Sequence, residues 1–182
     1  VLDFWFGAKD SAVYGKTRSF WFHSTPEMDL SIKQRFSQEY CQAKKGDLDS
    51  IRTTPEGTLV LIILLDQVPR HIFRGTKEAF ATDIQALFFS KEGVAQGFDQ
   101  HLPNFMKLFF YLPFEHSEVL IYQKRSLELF EVLGDEEYLK YAKEHYQIIE
   151  RFGRFPHRNS ILNRPSTAEE QLFLVQQSQA VG

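Results

Sequence analysis

Cysteine is nearly absent. Cys41 stands alone among 182 residues, so the chain has no internal disulfide and no cysteine-based zinc cluster, and it suits a reducing, cytoplasmic setting. Long apolar runs are missing as well. The longest, Leu59 to Leu65, has seven residues, where a membrane-spanning helix needs roughly 20, and no charged-then-apolar leader opens the chain. Neither sign of charge is in excess: 21 Lys and Arg against 24 Asp and Glu leave a formal net charge of −3, so neither general DNA binding nor attachment to an anionic membrane is expected. The valine at position 1 indicates a processed or trimmed start. What is plentiful is aromatic. Eighteen Phe, seven Tyr and two Trp carry much of the apolar surface in large rings, which predicts an aromatic core. The length suits one domain over residues 1–182 that needs no metal or disulfide to hold it, with 177–182 frayed.

Apolar residues recur at three- and four-residue spacing and no stretch alternates strictly, so the fold class is all-α, with about seven helices. The spacing predicts a helix over Pro26 to Lys45, capped by Ser24 or Thr25 and stopped at Gly46, with Ile32, Phe36, Tyr40 and Ala43 facing inward. A second opens at Thr54 and Pro55 and ends near Gln67, because Pro69 cannot continue it. Thr76 caps a third to Ala95, Leu102 to Tyr111 is a fourth and Ser117 to Leu133 a fifth. Asp135 opens a sixth that stops at Gly153, and Ser166 with Glu169 makes a capping box for the last, through Gln176. No 34-residue repeat is readable.

The densest chemistry lies in Arg151 to Asn159, which sets three arginines and a histidine between phenylalanines where a helix should stop. Buried guanidinium groups need carboxylate, carbonyl or ligand partners. Wheel arithmetic turns Asp66, Asp83, His116, Gln123 and His145 inward. Asp66 and Asp83 should therefore meet Arg70, Arg74 or the Arg151–Arg158 cluster. Glu115, His116, Glu118, His145 and His157 are metal-compatible residue types, but their spacing supplies no ligand pair on one helix, so no metal is assigned. No serine sits in a nucleophile elbow. Arg151 and His157 share the loose arginine-to-histidine spacing of HEPN-type ribonucleases.

Four ordered motifs carry a resemblance over the whole chain: Leu64-Leu65-Asp66-Gln67-Val68-Pro69-Arg70, with Ile72 to Gly75 after it, Tyr111 to Glu118, Phe152 to Asn159, and Ser166 to Glu170. The chain resembles the bacterial domain-of-unknown-function family 924. It departs from that family's usual pattern at Ile51, His71 and Asn163. The resemblance implies antiparallel helical hairpins stacked in a right-handed tetratricopeptide-repeat-like array; it implies no activity, cofactor or catalytic residue.

The residues themselves support three readings. In the first, Asp66, Arg70, Arg74, His116, Glu118, His145, Arg154, His157, Arg158 and Asn159 surround a pocket for a small anionic ligand or a peptide carboxylate. In the second the same pocket hydrolyses a phosphate- or carboxylate-bearing substrate, with His116 or His157 as acid or base and Glu118 or Asp66 orienting it. In the third the polar core only fixes helix register.

Overall fold

The computed structural model describes residues 1–180, and throughout them the regular structure is helical, with no strand. The helices are α1 (Leu2–Phe6), α2 (Pro26–Lys45), α3 (Pro55–Ile62), α4 (Val68–Ile72), α5 (Asp83–Ala95), α6 (Asn104–Glu115), α7 (Leu120–Leu133), α8 (Glu136–Phe152) and α9 (Ala168–Ala180). Successive helices from α5 to α8 pack on one another, α3 packs on α5 and α6, and α2 lies against α4.

Helix α2 forms where its local signals place it. The Thr25 hydroxyl accepts from the Met28 N–H at 3.3 Å, Pro26 takes the first position, and Gly46 ends the helix in the left-handed conformation at φ 86°. Ile32, Phe36, Tyr40 and Ala43 are its buried residues. Helix α8 agrees equally well: Asp135 accepts from the N–H groups of Glu137 and Tyr138, and Gly153 closes the helix at φ 68°.

Pro69 does not end the second predicted helix. A π-helical turn over Ile63–Gln67 joins α3 to α4, with the Val68 N–H reaching back five residues to the Ile63 carbonyl. A proline lacks the N–H that would serve the carbonyl four residues earlier, and its ring crowds that carbonyl. The wider turn makes room, and the freed groups find other partners. The Thr82 hydroxyl donates to the Leu65 carbonyl at 2.5 Å and Arg70 Nη1 to the Asp66 carbonyl at 2.5 Å. Turns of this kind are frequent at functional sites, and this one buries Asp66 and Gln67 inside an otherwise apolar helix.

Other boundaries also move. Thr76 makes no cap; a 3₁₀ turn at Lys77–Phe80 precedes α5. Helix α6 begins at Asn104 and continues through Pro113 to Glu115. Ser117 lies before α7, its hydroxyl accepting from the Val119 N–H. The capping box sits one residue later than predicted: the Thr167 hydroxyl accepts from the Glu170 N–H, and the Glu170 carboxylate from the Thr167 N–H. Helix α9 extends past Gln176 to Ala180; of the stretch expected to fray, 177–180 is helical and 181–182 lies outside the described residues.

The core is aromatic, as composition predicts. Trp5, Phe6, Phe20, Trp21 and Phe109 interlock edge to face beneath α1 and α6, and Trp21 Nε1 donates to the Trp5 carbonyl at 3.0 Å. Gly93 lets α5 approach α6, since a β-carbon there would collide with the Phe110 ring.

Candidate functional site

Asp66 is the centre of the polar interior. Fully buried on the π-helical turn, it holds Nδ1 of His116 at 2.7 Å with Oδ1 and accepts from Gln67 Nε2 at 2.5 Å with Oδ2. Arg70, one turn on, lies 3.4 Å from Oδ1 and forms a two-pronged pair with Asp83 at 2.8 and 3.1 Å. Burial alone would raise the Asp66 pKa. The charge of Arg70, the charge His116 carries whenever it is protonated, and the hydrogen bonds from His116 and Gln67 outweigh burial and hold the carboxyl well below the ordinary range.

Arg158 closes the same cluster from the C-terminal segment. Its Nη1 lies 3.3 Å from Asp83 and its Nη2 donates to the His116 carbonyl at 3.1 Å. The guanidinium sits between the rings of Phe80 and Phe155, 4.5 and 4.7 Å from their centroids. Burial, then repulsion by Arg70, pushes its pKa down to about 10, so it stays charged at neutral pH.

A second ionic group lies beside the first. Asp29, in the first turn of α2, holds His71 Nδ1 at 2.8 Å and both Nε and Nη2 of Arg74, at 2.7 and 3.1 Å. The hydrogen bonds and charge of these partners overcome burial and lower the Asp29 pKa to about 2. His71 shifts down, because burial outweighs the help from Asp29.

Two cavities meet at His116. One of about 610 Å³ runs between the start of α5 and the corner joining α6 to α7, walled by Phe80, Asp83, Leu87, Pro113, His116 and Arg158. The other, about 200 Å³, is walled by Gln67, Arg70, His71, Arg74 and His116, with the aromatic side chains of Phe20, Trp21 and Phe22. No carboxylate is among its lining residues. The remaining ring nitrogen, Nε2, has no protein partner in either His71 or His116, and neither is sealed from solvent.

The ten predicted residues therefore do not surround one pocket. Asp66, Arg70, His116 and Arg158 come together, with Arg74 next to them. Glu118 also lines the 610 Å³ cavity beside His116 and Arg158, but its hydrogen bonds join it with Arg154 and Asn159 in a latch over the C-terminal segment. Glu118 pairs with Arg164 at 2.7 and 2.9 Å and accepts from the Phe155 N–H. Arg164 Nε donates to Asn159, whose amide reaches Ser166 and Glu170, and Glu170 holds Arg154 at 2.7 and 2.9 Å. Glu118 thus orients Arg164 and not His116; Asp66 orients His116.

His145 and His157 line a third cavity, about 410 Å³, with Arg151, Phe152 and Phe173. Burial lowers and Glu115 raises the His145 pKa, with a net increase. The ring of His157 is pushed down to about 4, by its withdrawal from bulk water first and the charge of Arg158 second. Arg151, the other half of the ribonuclease-like spacing, pairs with Glu169 at 2.7 Å. Gln123, expected to point inward, does so as a cap: its amide donates to the carbonyls of Glu115 and Ser117 at the end of α6. No group of three His, Cys, Asp or Glu side chains among the described residues is placed to hold a metal ion.

Sequence reasoning missed Asp29, His71, Arg164 and Glu170 as members of these networks. His71 carried a signal, standing where the resembled family more often has asparagine. Asp29 carried none, since an acid in a first helical turn needs no other explanation.

Residues 1–178 match the model of the family described as "Bacterial protein of unknown function", DUF924, and the chain belongs to that family. A solved structure of a protein of unknown function from Agrobacterium tumefaciens is similar, with 43% identity over 85% of this chain and 87% of that one and a TM-score of 0.82. No curated protein matches. No helix among the described residues is long and apolar enough to cross a membrane.

Proposed function

We propose that this member of the family binds a small anionic molecule in the 200 Å³ cavity walled by Gln67, Arg70, His71, Arg74 and His116. The observation that supports this is the composition of that wall: two guanidinium groups and two imidazoles, with the balancing carboxylates of Asp29 and Asp66 set behind the rings they hold. An anion leaving water needs donors fixed before it arrives. Arg74 keeps Nη1 free after serving Asp29, and Arg70 keeps Nε free after serving Asp83 and Asp66. The cavity is too small for more than the end group of a peptide, which favours a small molecule.

With this reading go a single structural unit over 1–182, tetratricopeptide-repeat-like stacking of its hairpins, and a cytoplasmic setting in keeping with the free, exposed Cys41.

Thermal unfolding of the purified chain with phosphates and carboxylates tests it. A ligand at about 100 times its dissociation constant stabilises by about 2.7 kcal/mol. That shift should vanish in Arg74→Ala and survive in Arg154→Ala, whose partner Glu170 lies in the latch. The reverse pattern would place the ligand elsewhere.

A further inference from the structure

The small cavity narrows the ligand through the hydrogens on its two imidazoles. An ionised carboxylate accepts hydrogen bonds and donates none. Asp29 and Asp66 are ionised at neutral pH, so the nitrogen each one holds, Nδ1 of His71 and of His116, carries the hydrogen. A neutral imidazole has one donor and one acceptor nitrogen. Its lone pair is then on Nε2, the atom with no protein partner in either ring. The wall thus offers arginine donors for negative oxygens and two imidazole acceptors that no protein group serves.

An anion with acceptors alone would set its oxygens against those lone pairs. Relief by protonating a ring is opposed at His71 by burial and by Arg74 and Arg70, which Asp29 only partly offsets. At His116 the facing charges are Asp66, Arg70 and, behind the ring's own carbonyl, Arg158.

Resting on the anion-binding reading above, the geometry points to a ligand that bears an O–H beside its negative oxygens, hydrogen phosphate or a 2-hydroxy carboxylate, donating that O–H to an imidazole Nε2 while Arg70 and Arg74 take the anionic oxygens. This is chemistry a metal site would not share. Carboxylate-backed histidines also stand behind bound metals, but two guanidinium groups on the same wall repel a cation.

Calorimetric titration of the full chain with matched pairs tests the assignment, at about pH 8 where an ordinary imidazole is neutral. Phosphate and sulfate share shape, and so nearly do lactate and propionate; only the first of each pair has an O–H to give. At least one O–H ligand should bind about tenfold or more tightly than its twin. Preference within the first pair identifies a phosphate ligand, and within the second a hydroxy acid. In His116→Phe the preference should shrink; should that variant not fold, the wild-type comparison within the two pairs decides alone. Equal affinity within both pairs at about pH 8 would overturn the O–H assignment and leave anion binding standing. Failure of all four to bind would overturn both.

Discussion

Oδ1 of Asp66 lies 2.7 Å from Nδ1 of His116 across 50 residues of sequence, and this contact ties the π-helical turn to the corner between α6 and α7. The carboxylate is fully buried and survives there ionised because Arg70, His116 and Gln67 all face it. The pair fixes the orientation of His116 and leaves Nε2 free at the wall shared by two cavities.

Asp66→Asn removes the charge and keeps the volume. Arg70 keeps Asp83 at 2.8 Å but loses the charge 3.4 Å away, and His116 loses the carboxylate that holds its Nδ1, so stability to urea should fall by about 3 kcal/mol. Anion affinity should fall with it, because an amide no longer dictates the His116 tautomer. A loss below about 1 kcal/mol would show that the pair is not a principal tie.

Thr82→Val tests the π-helical turn. The hydroxyl serves the Leu65 carbonyl, which Pro69 leaves without a helical partner. Valine fills the space and supplies no donor, so unfolding in urea should cost about 1–3 kcal/mol less. An unchanged midpoint would mean that the carbonyl is satisfied in some other way.

Glu118→Ala separates latch from site. It takes the carboxylate from the half-buried Arg164, which keeps Asn159 and the Phe155 carbonyl, and leaves the Phe155 N–H unpaired, which should cost about 2 kcal/mol in denaturant unfolding. Isothermal titration should find anion affinity within about twofold of the wild type. A large affinity loss would put the C-terminal segment in the binding site.

Acid should destabilise the protein in two stages. His71 and His157 have pKa values lowered by folding, so their contribution is fully present above the unfolded value near 6.5 and is lost as pH falls through the folded value, about 4 for His157. His145, with a raised value, works in the opposite direction: its contribution is complete below about 6.5 and is lost as pH rises through the folded value. The contribution of His145 is therefore level below about pH 6.5, and between about pH 6.5 and 4 the loss from His71 and His157 stands alone. Below that, Asp29 and Asp66, whose pKa values folding lowers, lose their stabilisation as pH falls from about 4 through the folded value, about 2 for Asp29. Urea midpoints at about pH 7, 5 and 3 measure this, and His157→Gln should flatten the upper stage. A midpoint that does not fall between pH 7 and 5 would mean that burial of His71 and His157 does not govern the upper stage.

Helices α2 and α8 were legible in the sequence because Thr25, Pro26, Gly46, Asp135 and Gly153 act on their own turns. The continuation through Pro69 was not, because the Leu65 carbonyl it leaves over is served by Thr82, 17 residues away. The same division runs through the site. Burial of Asp66 followed from helical periodicity, and its need for cations followed from the cost of burying a charge. Which cation meets which carboxylate depends on how α2, α4 and the C-terminal segment pack. Arg154 therefore drew attention by its neighbours in sequence, while its partner Glu170 places it in the latch. His71 joined the site through Asp29, 42 residues away.

The most direct measurement is a nitrogen-15 NMR titration of the six histidines with phosphate and lactate. The Nε2 resonances of His71 and His116 should shift together and saturate at one dissociation constant, while those of His145 and His157 stay in place. Saturable shifts confined to His145 and His157 would move the binding site to the 410 Å³ cavity and contradict anion binding at His71 and His116.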